Sequence, residues 1–203
     1  MIPVRHLLSS IKAKVFLGLL MIALVSEAKA LSEEQMTEVY SYAYGAKGKL
    51  SKADFRQVVK FELLQSEWNA TLVPLVRGLN DPAVTPEQWD RMAQQRLNEA
   101  LLIKTKMFMA GAQIEDASAQ SIIKRASELN GKIHLAWVDM RQAIADGDQV
   151  AFRSAGLRGQ ALAQEKAMLG GPVIRRLREK LGDEVVDKVL DRELRELARK
   201  AGL

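Results

Sequence analysis

From Ile122 to Ile144 an apolar residue returns every three or four positions (Ile122, Ala126, Leu129, Ile133, Trp137, Met140, Ile144), with polar and charged residues between them. That is the period of an α-helix with one buried stripe, and the alternating faces of a strand cannot sort it. The same period runs through most of the chain. Phe61, Leu64, Trp68, Leu72, Leu75 and Leu79 form a second stripe, and Trp89, Ala93, Leu97, Leu101 and Phe108 a third. Val186, Leu190, Leu194 and Leu197 form the last, beside Glu184–Lys188, Asp191–Arg195 and Glu196–Lys200, pairs spaced for weak surface ion contacts. Only Val39 to Tyr44, with tyrosines at every second position, hints at a strand. A helix start precedes it and no partner strand exists, so a helix is expected there too.

Start and stop signals divide these stripes. Ser32 with Gln35 and Thr85-Pro86-Glu87-Gln88 read as capping boxes, while Ser51 and Asp148 are further N-caps. Stops are expected at Gly45 to Gly48, Gly78 to Pro82, Gly111, Asp146-Gly147 and Gly170-Gly171-Pro172. Pro74 falls inside the second stripe and is expected to kink or break its helix. The predicted fold is all-α: a single bundle of five to seven amphipathic helices with short loops over 31–203, ending in a C-terminal helical pair over 172–203.

Residues 1–30 read as an address. Arg5, His6, Lys12 and Lys14 precede eleven unbroken apolar residues, Val15 to Val25, and Ala28-Lys29-Ala30 follows as a small-x-small cleavage signal. Eleven residues cover only about 17 Å as helix, against roughly 30 Å of hydrocarbon, so a cleavable secretory signal fits better than a span. Cleavage after Ala30 predicts a bacterial periplasmic or secreted protein with no stable membrane insertion. It also changes the charge. The whole chain carries 30 basic and 25 acidic residues; without four basic residues and one acid of the leader, 26 and 24 remain. A net charge of +2 gives no argument for nucleic acid.

The chemistry is defined mostly by what is missing. With no cysteine, disulfides, thiolate metal sites, iron–sulfur clusters and thiol nucleophiles are excluded, and after the leader one histidine remains, His134. Catalytic triads, HExxH sites and carboxylate-bridged di-iron bundles all need more. Ala43 to Leu50 lacks the glycine and the hydroxyl that a phosphate-binding loop requires. Scattered methionines fit core filling better than soft-metal binding. No cofactor or metal is expected. Candidate contact features are Tyr40, Tyr42 and Tyr44, of which Tyr40 and Tyr44 share a helix face. A second is the small-residue ladder Ala151, Ala155, Gly159, Ala163 and Ala167, which admits a close helix or a ligand. A third is His134 with Trp137.

The pentapeptides Leu31-Ser32-Glu33-Glu34-Gln35 and Val84-Thr85-Pro86-Glu87-Gln88 resemble the LTxxQ motif of the Spy/CpxP-like periplasmic proteins. That resemblance covers about ten residues and implies an exported all-helical chaperone or stress sensor. The resulting expectation is a non-catalytic exported bundle that binds a protein or peptide, with a homodimer left open. The alternatives are a small-ligand, haem or metal receptor beside the ladder and His134, and an enzyme built on carboxylates alone.

Overall fold

The computed structural model describes residues 32–188. Five helices succeed one another: α1 (Glu33–Ala43), α2 (Lys52–Asn80), α3 (Pro86–Ala112), α4 (Ala117–Ala145) and α5 (Gln149–Leu181). Residues 183–188 are helical as well. The fold is all-α. The leader, with Ala28 and Ala30, and the last stripe from Leu190 onward lie outside the described residues.

The expected caps form. Ser32 and Gln35 close a capping box on α1, their two hydrogen bonds measuring 3.2 and 2.9 Å, and Thr85 with Gln88 repeats it on α3. Ser51, Asp116 and Asp148 cap α2, α4 and α5. At the other end of α1, Gly45 takes φ +68° and allows a Schellman closure, with Ala46 N–H donating to the Ser41 carbonyl at 2.9 Å and Gly45 N–H to Tyr42 at 3.0 Å. Gly147 repeats the closure after α4. A Cβ on Gly45 would stand 2.8 Å from Arg176 Nη1, and Arg176 donates to the Ala43 carbonyl at 3.2 Å. Gly45→Ala is therefore expected to lower stability by about 1–2 kcal/mol, through the left-handed backbone and the displaced arginine; urea denaturation would measure it.

No helix ends at Pro74, where a kink or a break is expected, or at Pro172, where a stop is expected. Helix α2 runs through Pro74, and α5 runs through Gly170-Gly171-Pro172 to Leu181, so no helical pair begins at 172. Each proline removes one backbone hydrogen bond, a loss that packing on both sides of it offsets. Leu72, Leu75 and Val76 are buried around Pro74, and Val173 and Leu177 beyond Pro172. Gly171 helps α5 directly, because a residue without Cβ eases the clash with the following ring.

Helices α2 to α5 pack in order as an up-and-down bundle, α2 on α3, α3 on α4 and α4 on α5, with α1 lying against α5. Helices α2 and α4 therefore run parallel. Trp89 and Phe61, Leu75, Met107, Ile123 and Leu129 fill the interior. Asp54 ties the start of α2 to the α3–α4 loop by accepting the Glu115 N–H at 2.8 Å.

Candidate functional site

The structure separates the three tyrosines. Tyr40 and Tyr44 are 2% and 0% exposed and stack 6.5 Å apart, with Phe55 edge-on to Tyr40. Tyr40 and Tyr44, which share a helix face as the sequence spacing implies, turn that face into the bundle. Tyr42 alone faces outward, where it donates to Glu179 and lies under Lys180 at 5.0 Å. The hydrogen bond to Glu179 raises the Tyr42 phenol above its ordinary value.

The ladder on α5 is divided: Ala151 is exposed, while Ala155, Gly159, Ala163 and Ala167 turn at least partly inward. Ala155 is buried, Gly159 and Ala163 are half-buried, and a Cβ on Gly159 would meet Ala136 of α4 at 3.4 Å. The small residues thus set the close approach of α4 and α5. His134 and Trp137 are buried. Burial first, and then the nearby Lys104, depress the His134 pKa, so the imidazole stays uncharged at neutral pH. Its Nδ1 has no hydrogen-bond partner in the protein. Among the described residues, no three His, Asp or Glu side chains group as metal ligands.

The bundle centre holds a polar layer that sequence reasoning missed. Lys166 of α5 donates to Asn130 Oδ1 at 2.6 Å; Asn130 Nδ2 donates to Gln65 Oε1 at 2.7 Å; Gln65 Nε2 donates to Asn69 Oδ1 at 3.1 Å. The ammonium can only donate, so it fixes the sense of the whole relay. Lys166 also lies over the Trp68 ring, 5.1 Å from its centroid. Beside them Glu62, fully buried, accepts the Tyr44 hydroxyl hydrogen through Oε1, while its Oε2 and the Trp68 Nε1 have no protein partner. Burial pushes the Glu62 carboxyl up to about 8 despite the pull of Lys166. It pushes the Lys166 ammonium down to about 7 despite Glu62. Both groups therefore exchange protons near neutrality.

A signal for this layer exists in the sequence. Glu62, Gln65 and Asn69 on α2 and Ser127, Asn130 and His134 on α4 share one spacing, i, i+3, i+7, and all six are buried. The Gln65–Asn130 contact joins two parallel helices, so the same offset of 65 residues sets Glu62 level with Ser127 and Asn69 level with His134.

Two outward faces are apolar. On α3, Leu101, Leu102, Phe108 and Met109 are 43, 66, 64 and 56% exposed. They form two pairs on one side of the helix, about 10 Å apart along it, with the exposed Thr105 between them. On α5, Val150, Leu157 and Met168 are 81, 57 and 76% exposed. Beside the α5 face, Arg158 pairs with Asp139 and Glu165 with Arg125, both across the contact with α4. Among the described residues, no helix is long and apolar enough to cross a membrane. No protein-family model, curated protein or solved structure matches the chain, so its own geometry carries the functional reading.

Proposed function

We propose that the chain is an exported, non-catalytic helical bundle that binds a protein or peptide partner on the outward face of α3. The leader over residues 1–30 supports export to the periplasm or the exterior. The observation that carries the binding reading is the exposure of Leu101, Leu102, Phe108 and Met109 within nine residues of one helix. Scattered single apolar residues are ordinary at a surface, whereas a clustered group marks a contact site. Such a face takes the apolar side of an amphipathic helix or an unfolded apolar segment. The likeness of the two capping pentapeptides to the LTxxQ motif supports a chaperone-like use of that face.

A reduced, molten client protein that precipitates alone provides the test. At equal molar amounts the wild type is expected to suppress its light scattering. Phe108→Glu with Met109→Glu is expected to lose about tenfold in potency while keeping the helical circular dichroism, because both side chains already face water. Wild-type protein that neither binds the client nor changes its precipitation overturns the reading.

A further inference from the structure

The outward face of α5 carries no charge for seven successive seam positions. Val150, Leu157, Gln164 and Gly171 form one row and Ser154, Ala161 and Met168 the other, and every one of them is exposed. The two rows alternate by three and four residues over three heptads, the repeat of a coiled-coil seam about 32 Å long. The outward face of α4 is mixed: Leu135 and Val138 are exposed there, but Lys124, Glu128, Lys132 and Asp139 interrupt it with charge. A charge-free seam of this length, with Val150, Leu157 and Met168 exposed along it, lacks its covering helix.

We propose that this seam pairs with the same seam of a second copy, the two α5 helices running antiparallel about a two-fold axis. The flanking charges select this occupant and this direction. In an antiparallel pair Met168 layers on the other copy's Leu157 and Ala161 on its Gln164. Arg158 then stands against Glu165 of the other copy, between those two layers, and the symmetry repeats the pair. Gln160 and Ala167 meet on the opposite flank, with no like charges in contact. The parallel alternative brings Arg153 of one copy against Arg158 of the other, a repulsion with no compensating partner. The intrachain pairs Arg158–Asp139 and Arg125–Glu165 already lie along this flank, so dimerisation joins them into one alternating row of charge. Helix α5 packs on α4 and α1 and lies across the bundle from α3, which leaves the α3 face free in both copies.

Light scattering or sedimentation of the purified protein over about a hundredfold dilution is expected to show a dimer that dissociates with dilution. Leu157→Glu with Met168→Glu is expected to be monomeric throughout with unchanged helical content, since both positions face solvent in one copy. Arg158→Glu alone is expected to weaken the dimer about tenfold, and reversal of the whole row (Asp139→Arg, Arg158→Glu, Glu165→Arg and Arg125→Glu) to restore it. The chain has no cysteine, so register can be read by oxidation. A mixture of the Leu157→Cys and Met168→Cys proteins is expected to cross-link, whereas Leu157→Cys alone is not, its two copies standing roughly 17 Å apart along the axis. A wild type that is monomeric at every concentration overturns the proposal, as does a dimer that survives Leu157→Glu with Met168→Glu. Cross-linking of Leu157→Cys with itself overturns the antiparallel direction.

Discussion

Lys166→Met is expected to turn a valley-shaped dependence of stability on pH, lowest between about pH 7 and 8, into a one-way loss as pH rises from about 5 to 8. Glu62 has a folded pKa raised to about 8. It therefore favours the folded state fully below its unfolded value near 4.3, and loses that contribution as pH rises through 8. Lys166 works in the opposite sense. Its folded pKa of about 7 lies below the unfolded value near 10.4, so its contribution is present above pH 10.4 and is lost as pH falls through 7. In the wild type the two oppose each other between 7 and 8. Stability falls from pH 5 to 7, passes a minimum, and rises again from 8 towards 10. Lys166→Met keeps only the fall; Glu62→Gln keeps only the rise. Each limb has a slope of at most about 1.4 kcal/mol per pH unit. Removing either partner also leaves a buried ionisable group without its neighbour, with a cost of about 3–5 kcal/mol where that group is charged. Urea midpoints of the three proteins from pH 5 to 10 would decide the matter, and superimposable profiles would sink the account of the layer.

Trp89→Ala is expected to be the most damaging single truncation in the apolar core, lowering stability by about 3–5 kcal/mol and the melting temperature by roughly 10 °C or more. The indole is 2% exposed and donates its Nε1–H to the Leu75 carbonyl at 3.0 Å, which locks α3 to α2. It occupies a slot made by Gly78, where a Cβ would stand 2.9 Å from Trp89 Cδ1 and 2.6 Å from Met92 Cε. Trp89→Phe keeps most of the volume and loses the hydrogen bond, so a cost of about 1–2 kcal/mol is expected. Scanning calorimetry of both variants separates the two contributions. Equal losses would mean that the hydrogen bond, not the packing, holds this contact.

Gly78 also marks where the sequence stops being legible. In the sequence it reads as part of a helix stop, since glycine is a poor helix former and Pro82 follows. In the fold it is a helical residue whose missing side chain admits the neighbouring tryptophan, and α2 ends only at Asn80. Gly111 is the same kind of position, with Ile123 Cγ2 2.8 Å from its absent Cβ. Caps and stripes were readable because their causes are local: Ser32 with Gln35, Thr85 with Gln88, and the apolar period of α4. Pro172 reads as a stop because the contacts that bury Val173 and Leu177 beyond it are remote in sequence. The polar layer was hidden for a related reason. Glu62, Gln65 and Asn69 look like the solvated flank of an amphipathic helix until Asn130 and Lys166 arrive from residues 65 and more positions away. The surface faces lay between these cases. The spacing of Leu101 and Phe108 was visible, but it read as an inner stripe, and only the packed neighbours decide which side of α3 meets water.

The relay from Lys166 through Asn130 and Gln65 to Asn69 has a consequence for how the helices mesh. Leu, Ala and Val side chains tolerate many offsets between neighbouring helices, because dispersion contacts have little directional preference. Amide and ammonium groups do not. Moving α4 by one turn along α2 would bring Gln65 level with Ala126 or His134, and would leave Lys166 without its carbonyl acceptor. Each such mismatch strands a polar group in an apolar interior, at a cost of about 1–3 kcal/mol. The relay is a key cut for one alignment, and it gives a bundle built from small, interchangeable apolar residues a single gear position.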